Sequence, residues 1–304
     1  MEIVVEAPAK LNLFFEVLAK RNDGYHEIET LMCPVDLYDT VCFTEDPSGQ
    51  VTLECSSDTE FGDSGSENPD VVSRGVGMGD LPSGRENLVW QAVDLLRRRA
   101  GVGGGAHLRL IKRIPTAAGL GGGSSDAAAA LLSANEGWSL GWSREELMPI
   151  AAELGSDVPF FLVGGPAVCR GRGERVEPAA GLGDLHFVVA CPPAGLSTAA
   201  VYAACCPADR AREVAPLVSC LQAGNVEEAG RLIFNRLQEV AETLSPWIVR
   251  LGGQLEGLDC LGHGMSGSGS SYFGLCRDAR HARRITERLG ANGVCSVFAV
   301  RSCR

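Results

Sequence analysis

Residues 115–132 read PTAAGLGGGSSDAAAALL, with four glycines, two serines and an aspartate ahead of a run of alanines and leucines. The strand-like LRLIK stands before it and a strong helix former follows, which favours strand, loop and helix over a flexible linker. Glycines open backbone angles closed to other residues and let main-chain N–H groups approach a ligand closely. The first turn of a helix leaves N–H groups unpaired beside the positive end of its dipole, so the combination makes an anion site. Ser124 and Ser125 could cap that helix or offer hydroxyls to phosphate or Mg²⁺, and Asp126 suits a first helical turn. Two common phosphate fingerprints fail: GxxxxGK[ST] is absent, and GxGxxG over Gly119 and Gly121 breaks at Ser124.

Other residues carry chemistry only in company. Asp157 follows a helical pattern and a glycine and precedes Val158-Pro159, where the proline should bias Val158 to extended geometry and fix the carboxylate on a turn. Alone, such an aspartate is turn chemistry. Lys10, in APAKLNL, falls by strand alternation on the side of Asn12 and Phe14, and a lone strand lysine is normally solvated. DGYH, residues 23–26, is by default a β-turn with an aromatic lid. GMSGSGSS, residues 264–271, is either a glycine-serine turn or, paired with the first loop, a second nest of backbone N–H groups.

Composition limits the partners. A net charge of -11 over 304 residues argues against a nucleic-acid surface, which needs clustered Lys and Arg. A hydrophobic share of 45% suits one large or two modest globular domains with real cores. The start, MEIVVEAPAK, lacks the pattern of a secretory leader, and no run is long and uncharged enough to span a bilayer, so a cytoplasmic protein without membrane partners is expected. Twelve cysteines include no CxxC and no zinc-type cluster and are expected to be reduced and mostly buried.

The elements that must position these residues follow from periodicity. Short β-type runs open the chain (IVVEA, LNLFFEVL, IETLMCPVDL, DTVCFTE, VTLEC), and residues 56–85 turn polar and glycine-rich, as a surface insertion would. ENLVWQAVDLLRRRAG reads as a helix with a glycine stop, AHLRLIK as a strand, and SREELMPIAAELG as a helix with a serine cap and acidic first turn. Beyond them lie strands AVCRG, HFVVACPP and VCSVFAV, and helical patterns NVEEAGRLIFNRLQEVAETL and RDARHARRITERLG. The class is α+β, with a boundary between 161 and 165.

Pro115, three residues, then GLGGGSS resembles the phosphate loop of the GHMP kinases, and GLGGGSSDAA, APAKLNLFFEVLAKRNDGYHEIET, LGSDVPFFLVGGPAVCRGRGE and GMSGSGSSYFGLC are similar to segments of its branch acting on 4-diphosphocytidyl-2-C-methyl-D-erythritol. The likeness covers most of residues 1–50, 86–177 and 264–276, whereas 56–85 and 205–224 have no counterpart. It implies a two-domain fold, with an N-terminal domain like domain 2 of ribosomal protein S5 over 1–163 and an α/β C-terminal domain over 164–304. It also implies ATP-dependent phosphorylation of the acceptor's 2-hydroxyl, a step of non-mevalonate isoprenoid synthesis, with Mg²⁺ accompanying ATP through no identifiable ligand set, in a monomer or weak homodimer. Asp157 would be the base, with Lys10 beside it, and Asn12 would orient the substrate. Tyr25 would stack on the cytosine, His26 would bond its edge through ring or backbone, and Thr198, with Ser197 as the alternative, would face the acceptor. Pro115, Gly119, Leu120, Gly121, Gly122, Gly123, Ser124 and Ser125 would cradle the phosphates. Asn87, Leu88 and Lys112 fall where relatives line the adenine pocket, although helix start, core residue and exposed strand residue explain them equally. The rivals are another small alcohol, such as mevalonate or homoserine, as acceptor, or a nucleotide-binding protein without catalysis.

Overall fold

A computed structural model describes residues 1–57, 71–72, 84–291 and 295–303. Most of the segment expected as an insertion therefore lies outside the described residues. In chain order the elements run β1 (Glu2–Lys20), β2 (His26–Asp46), β3 (Val51–Ser57), β4 (Val71–Val72), α1 (Leu88–Ala100), β5 (Gly105–Lys112), α2 (Gly122–Gly137), α3 (Arg144–Leu154) and α4 (Val158–Val163). There follow β6 (Ala167–Gly171), β7 (Arg175–Pro178), β8 (His186–Cys191), α5 (Thr198–Ala204), α6 (Ala215–Gln222), α7 (Val226–Arg231), β9 (Phe234–Asn235), α8 (Gln238–Leu244), α9 (Pro246–Glu256), β10 (Gly262–Met265), β11 (Tyr272–Cys276), α10 (Ala279–Gly290) and β12 (Ser296–Arg301).

Two sheets organise the chain. The first runs β3-β5-β2-β1-β9, with β6 and β7 continuing from β2, and the second runs β10-β11-β8-β12-β4. Strands on both sides of the boundary expected at 163/164 thus belong to the first sheet, which takes β6 and β7 up to Pro178 and then β9. Helices α1 to α4 bury their apolar faces against the first sheet in a core that includes Phe43, Leu96, Leu108, Leu131 and Phe160. The second sheet packs α9 and α10 through Leu251, Leu255, Ile285 and Leu289. A third cluster, including Leu11, Phe14, Phe187 and Phe273, joins residues of both sheets. Among the described residues no helix is long and apolar enough to cross a membrane.

Local chemistry explains the elements that bear on the site. Helix α1 starts at Asn87, whose side chain accepts from Val89 N, and stops at Gly101 in the left-handed region. Helix α3 has a capping box of Ser143 and Glu146. The runs expected as four short strands form two long ones, β1 and β2, because each continues through its irregularities by register shifts rather than breaks. One shift lies between Asn12 and Phe14, so Phe14 turns into the core and Phe15, not Phe14, shares the open side with Lys10 and Asn12. The helical pattern of residues 225–244 is interrupted by β9, and a Cβ on Gly230 would stand 2.2 Å from Leu261 O, so this close approach admits glycine alone. Val158 is helical rather than extended: it opens α4 with Pro159 in the first turn, where a missing N–H costs nothing. Of the cysteines expected to be mostly buried, six are, five are half-buried and Cys206 is exposed.

Candidate active site

The glycine stretch is strand, loop and helix. Gly121, left-handed at φ 72°, is the N-cap of α2 and supplies no capping side chain. Gly122, Gly123 and Ser124 therefore present helix-end N–H groups with no acceptor one turn back, while Ser125 N already bonds to Gly121 O at 2.9 Å. Ser124 stands at the mouth. Ser125 sits one residue deeper than expected, buried, with no hydrogen-bond partner for its hydroxyl. Gly119, at φ 75°, has no room for a side chain: a Cβ would stand 2.2 Å from Ser266 O. The reason is that residues 266–271 lie against the loop, with Ser266 Oγ donating to Gly119 O at 3.0 Å and Ser271 N donating to Ala118 O at 3.0 Å.

Lys10 reaches the same place from β1. Its backbone N donates to Leu120 O at 2.9 Å, and its Nζ donates to Asn12 Oδ1 at 2.6 Å and Gly119 O at 2.8 Å. Asp157, the N-cap residue of α4, brings Oδ2 to 3.9 Å from Lys10 Nζ. Lys10 is buried and Asp157 about a third exposed, so the lysine is the fixed member and the carboxylate faces open space. Burial pulls the Lys10 ammonium below its usual range, against the opposing pull of Asp157 and Cys169. Asn12 is held in turn, its Nδ2 donating to Thr30 Oγ1 at 2.9 Å.

Beyond this pair lies an aromatic corner. Tyr25 is half exposed, and the Arg172 guanidinium sits 4.8 Å from its ring centroid. His26 is buried and lies 5.2 Å from the Tyr202 ring. Burial, and secondarily Lys20, lowers the His26 pKa, which favours the neutral ring. Thr198 opens α5 and its Oγ1 lies 2.8 Å from Ser268 Oγ; Ser197 caps the same helix through Ala200 N.

At the other end Asn87 caps α1 and Leu88 is its first residue, and both line the cavity. Lys112 is not an exposed strand residue. It is buried between two carboxylates, donating to Asp39 Oδ2 and, at 2.7 Å, to Asp126 Oδ2. Asp39 Oδ1 also accepts from Ile114 N at 2.9 Å. Burial alone would lower the Lys112 pKa, but the two carboxylates raise it. Burial pushes Asp126 up to about 8, with Lys112 opposing and Asp39 adding to the rise. Burial beside a second carboxylate thus favours the protonated form of Asp126.

All these groups meet in one cavity of about 860 Å³. Its wall carries Lys10, Asn12, Tyr25, His26, Asn87, Leu88, Lys112, Pro115, residues 119–124, Asp157 and Thr198; Ser125 stands behind it. The wall also holds Lys20, Arg172, Tyr202 and Ser268, which the sequence reading missed. Glycine and serine spacing pointed to the loop of Ser268, while nothing local marked Tyr202 or Arg172, which come from a short helix and a hairpin turn.

The description "GHMP kinases N terminal domain" matches residues 87–165, and "GHMP kinases C terminal" matches residues 217–295. The 4-diphosphocytidyl-2-C-methyl-D-erythritol kinase of Pelotomaculum thermopropionicum is 40% identical over 290 residues, 95% of this chain and 94% of that protein. The kinase of the same name from Shouchella clausii is 38% identical over 306 residues, 100% of this chain and 95% of that one. The crystal structure of a 4-(cytidine 5'-diphospho)-2C-methyl-D-erythritol kinase superposes with a TM-score of 0.79 at 34% identity, covering 99% of this chain and 100% of that chain. Homoserine kinase from Cytophaga hutchinsonii, 19% identical with a TM-score of 0.73 over 99% of this chain and 94% of that one, shares the fold. The chain belongs to the 4-diphosphocytidyl-2-C-methyl-D-erythritol kinase family of GHMP kinases.

Proposed function

We propose that the chain transfers the γ-phosphoryl of ATP to the 2-hydroxyl of 4-diphosphocytidyl-2-C-methyl-D-erythritol, giving the 2-phosphate and ADP in non-mevalonate isoprenoid synthesis. The observation that carries this reading is a single cavity with the Lys10 and Asp157 pair flanked by the glycine loop on one side and the Tyr25 and His26 corner on the other. The N–H groups of residues 122–124 hold the β- and γ-phosphates at the helix mouth, with Asn87 and Leu88 against the adenine. Tyr25 stacks on the cytosine, His26 bonds its polar edge, and Asn12 and Thr198 orient the rest of the acceptor. Asp157 takes the proton of the 2-hydroxyl as its oxygen bonds to the γ-phosphorus. The bond to the β-bridging oxygen breaks and its electron pair leaves with ADP. Lys10, anchored by Asn12 and Gly119, holds its charge beside Asp157 and aims the carboxylate.

Mg²⁺ enters with ATP. Among the described residues no group of three or more His, Cys, Asp or Glu could hold a metal ion. The donor set fits a hard cation carried mainly by phosphate oxygens and water, with the Ser124 hydroxyl at the helix mouth as a protein ligand. When bound, the ion neutralises charge on the phosphates. The division into 1–163 and 164–304 is proposed as two units that exchange strands, with β6, β7 and β9 of the second joining the first sheet and β4 of the first joining the second sheet. We place the protein in the cytoplasm, as a monomer or weak homodimer.

Folded Asp157→Asn protein should lose at least about a hundredfold in kcat, with ATP affinity nearly unchanged. Wild-type turnover in that variant would remove Asp157 as base. Phosphorylation of mevalonate or homoserine, with no response to the cytidyl acceptor, would overturn the substrate.

A further inference from the structure

The loop of residues 266–271 touches both halves of the cavity. Towards the donor side, Ser266 Oγ donates to Gly119 O at 3.0 Å and Ser271 N to Ala118 O at 3.0 Å. At the reacting centre a Cβ on Gly267 would lie 3.1 Å from Lys10 Nζ and 3.3 Å from Asn12 Oδ1, so this backbone is pressed against both side chains. Towards the acceptor side, Ser268 Oγ lies 2.8 Å from Thr198 Oγ1. Ser268 is 8% exposed, in a region where an idle hydroxyl is costly.

We infer that Ser268 is a positioning residue that couples acceptor binding to the ATP site, acting through Thr198. This rests on the proposed function, in which Thr198 faces the acceptor. Each hydroxyl has one proton, and before the acceptor arrives either can be the donor of the 2.8 Å bond. Once Thr198 spends its proton on an acceptor oxygen, it must receive from Ser268. The chain Ser268 to Thr198 to acceptor then has one direction, and each bond polarises the next. Ser268 held in this way fixes residues 266–271, and they in turn fix Gly119 and Ala118 beneath the phosphates. Acceptor binding therefore tightens ATP binding, and by linkage ATP tightens acceptor binding by the same factor.

Calorimetric titration of the full chain with AMP-PNP, with and without saturating 4-diphosphocytidyl-2-C-methyl-D-erythritol, tests this. In the wild type the acceptor should tighten AMP-PNP at least about fivefold. In Ser268→Ala and in Thr198→Val the factor should fall below about twofold, while AMP-PNP alone binds within about twofold of wild type. Thr198→Ser and Ser268→Thr, which keep the hydroxyls, should restore it, and the double variant should lose no more than either single one. A merely structural role would weaken AMP-PNP binding without acceptor and overturn the inference, as would full coupling in Ser268→Ala or a wild type that binds both ligands independently. The kinase reading would survive each of those results. A wild type that binds AMP-PNP but not the acceptor would overturn both.

Discussion

Gly119 carries no functional group, yet its place leaves the loop no room for a side chain there. A side chain there would meet Ser266 O at 2.2 Å and Gly269 O at 2.8 Å, backbone atoms that cannot swing aside, on a residue whose φ of 75° already disfavours other amino acids. Gly119→Ala should push the phosphate loop and residues 266–271 apart and displace the oxygen that anchors Lys10. Misplacement of a reacting group by about 1 Å can cost about a hundredfold, so kcat/KM should drop at least that much in steady-state assays. Gly123→Ala, whose Cβ would meet Leu88 Cδ1 at an ordinary 3.8 Å, is the control and should stay within about tenfold. At this scale the sequence was informative where residue type and chain spacing both matter. The glycines could be singled out in this way, Lys10, Asn12 and Asp157 only through the resemblance to the family, and all of them line one cavity. Phe15 could not, because a bulge after Asn12 reverses the alternation on which the expectation of Phe14 rested. The Lys112 partnership with Asp39 was hidden as well, since the two stand on neighbouring strands with no sequence signal of their pairing.

Elements with complete local signals were legible, and those defined by distant contacts were not. Helix α3 has its serine, its glutamate three residues on and an amphipathic run, all readable in order. The segment of α7, β9 and α8 looked like one helix because its apolar spacing is helical, but tertiary bonds decide otherwise. Phe234 and Asn235 pair with Phe14 and Phe15 of β1, and Asn235 Nδ2 donates to Met265 O and Gly267 O, both at 2.7 Å. Its Oδ1 accepts from Leu237 N at 2.9 Å, so one buried amide holds both the start of α8 and the entry to the loop beside the phosphates. Asn235→Ala leaves two carbonyls and an N–H without this partner. It should cost about 2 kcal/mol of stability by urea unfolding, and because residues 265–267 loosen, it should raise KM for ATP more than it lowers kcat. An unchanged KM for ATP would show that the loop holds its position without Asn235.

For the whole molecule, the acid and alkaline arms of stability have different origins. Glu16 is fully buried, yet its carboxyl is drawn below its usual range: burial opposes this, and the Arg236 bond at 2.7 Å with the N–H groups of Arg212 and Val17 outweighs it. At Asp259 burial again opposes the shift, but the bonds and charges of His281 and Arg284 together outweigh it and draw the carboxyl down to about 2. Carboxyls of this kind stabilise the fold above their unfolded pKa, and the contribution disappears as pH falls through the folded one, so stability should decline below about pH 4. Asp126 works in the opposite sense. Its pKa is raised from 3.8 to about 8, so its contribution is complete below about pH 4 and fades as pH rises through 8, where the fold must accept a second buried carboxylate beside Asp39. The depressed Lys10 pulls the other way, since a buried ammonium is relieved as pH rises, which makes the wild-type profile a sum rather than a signature of Asp126. Comparison with Asp126→Asn isolates the term, because the amide resembles the protonated acid and cannot ionise. The variant should gain on wild type by at least about 1 kcal/mol between pH 6 and pH 9 at constant ionic strength. A constant difference across that range would mean that Asp126 is already ionised at pH 6 and that Lys112 serves both carboxylates at once.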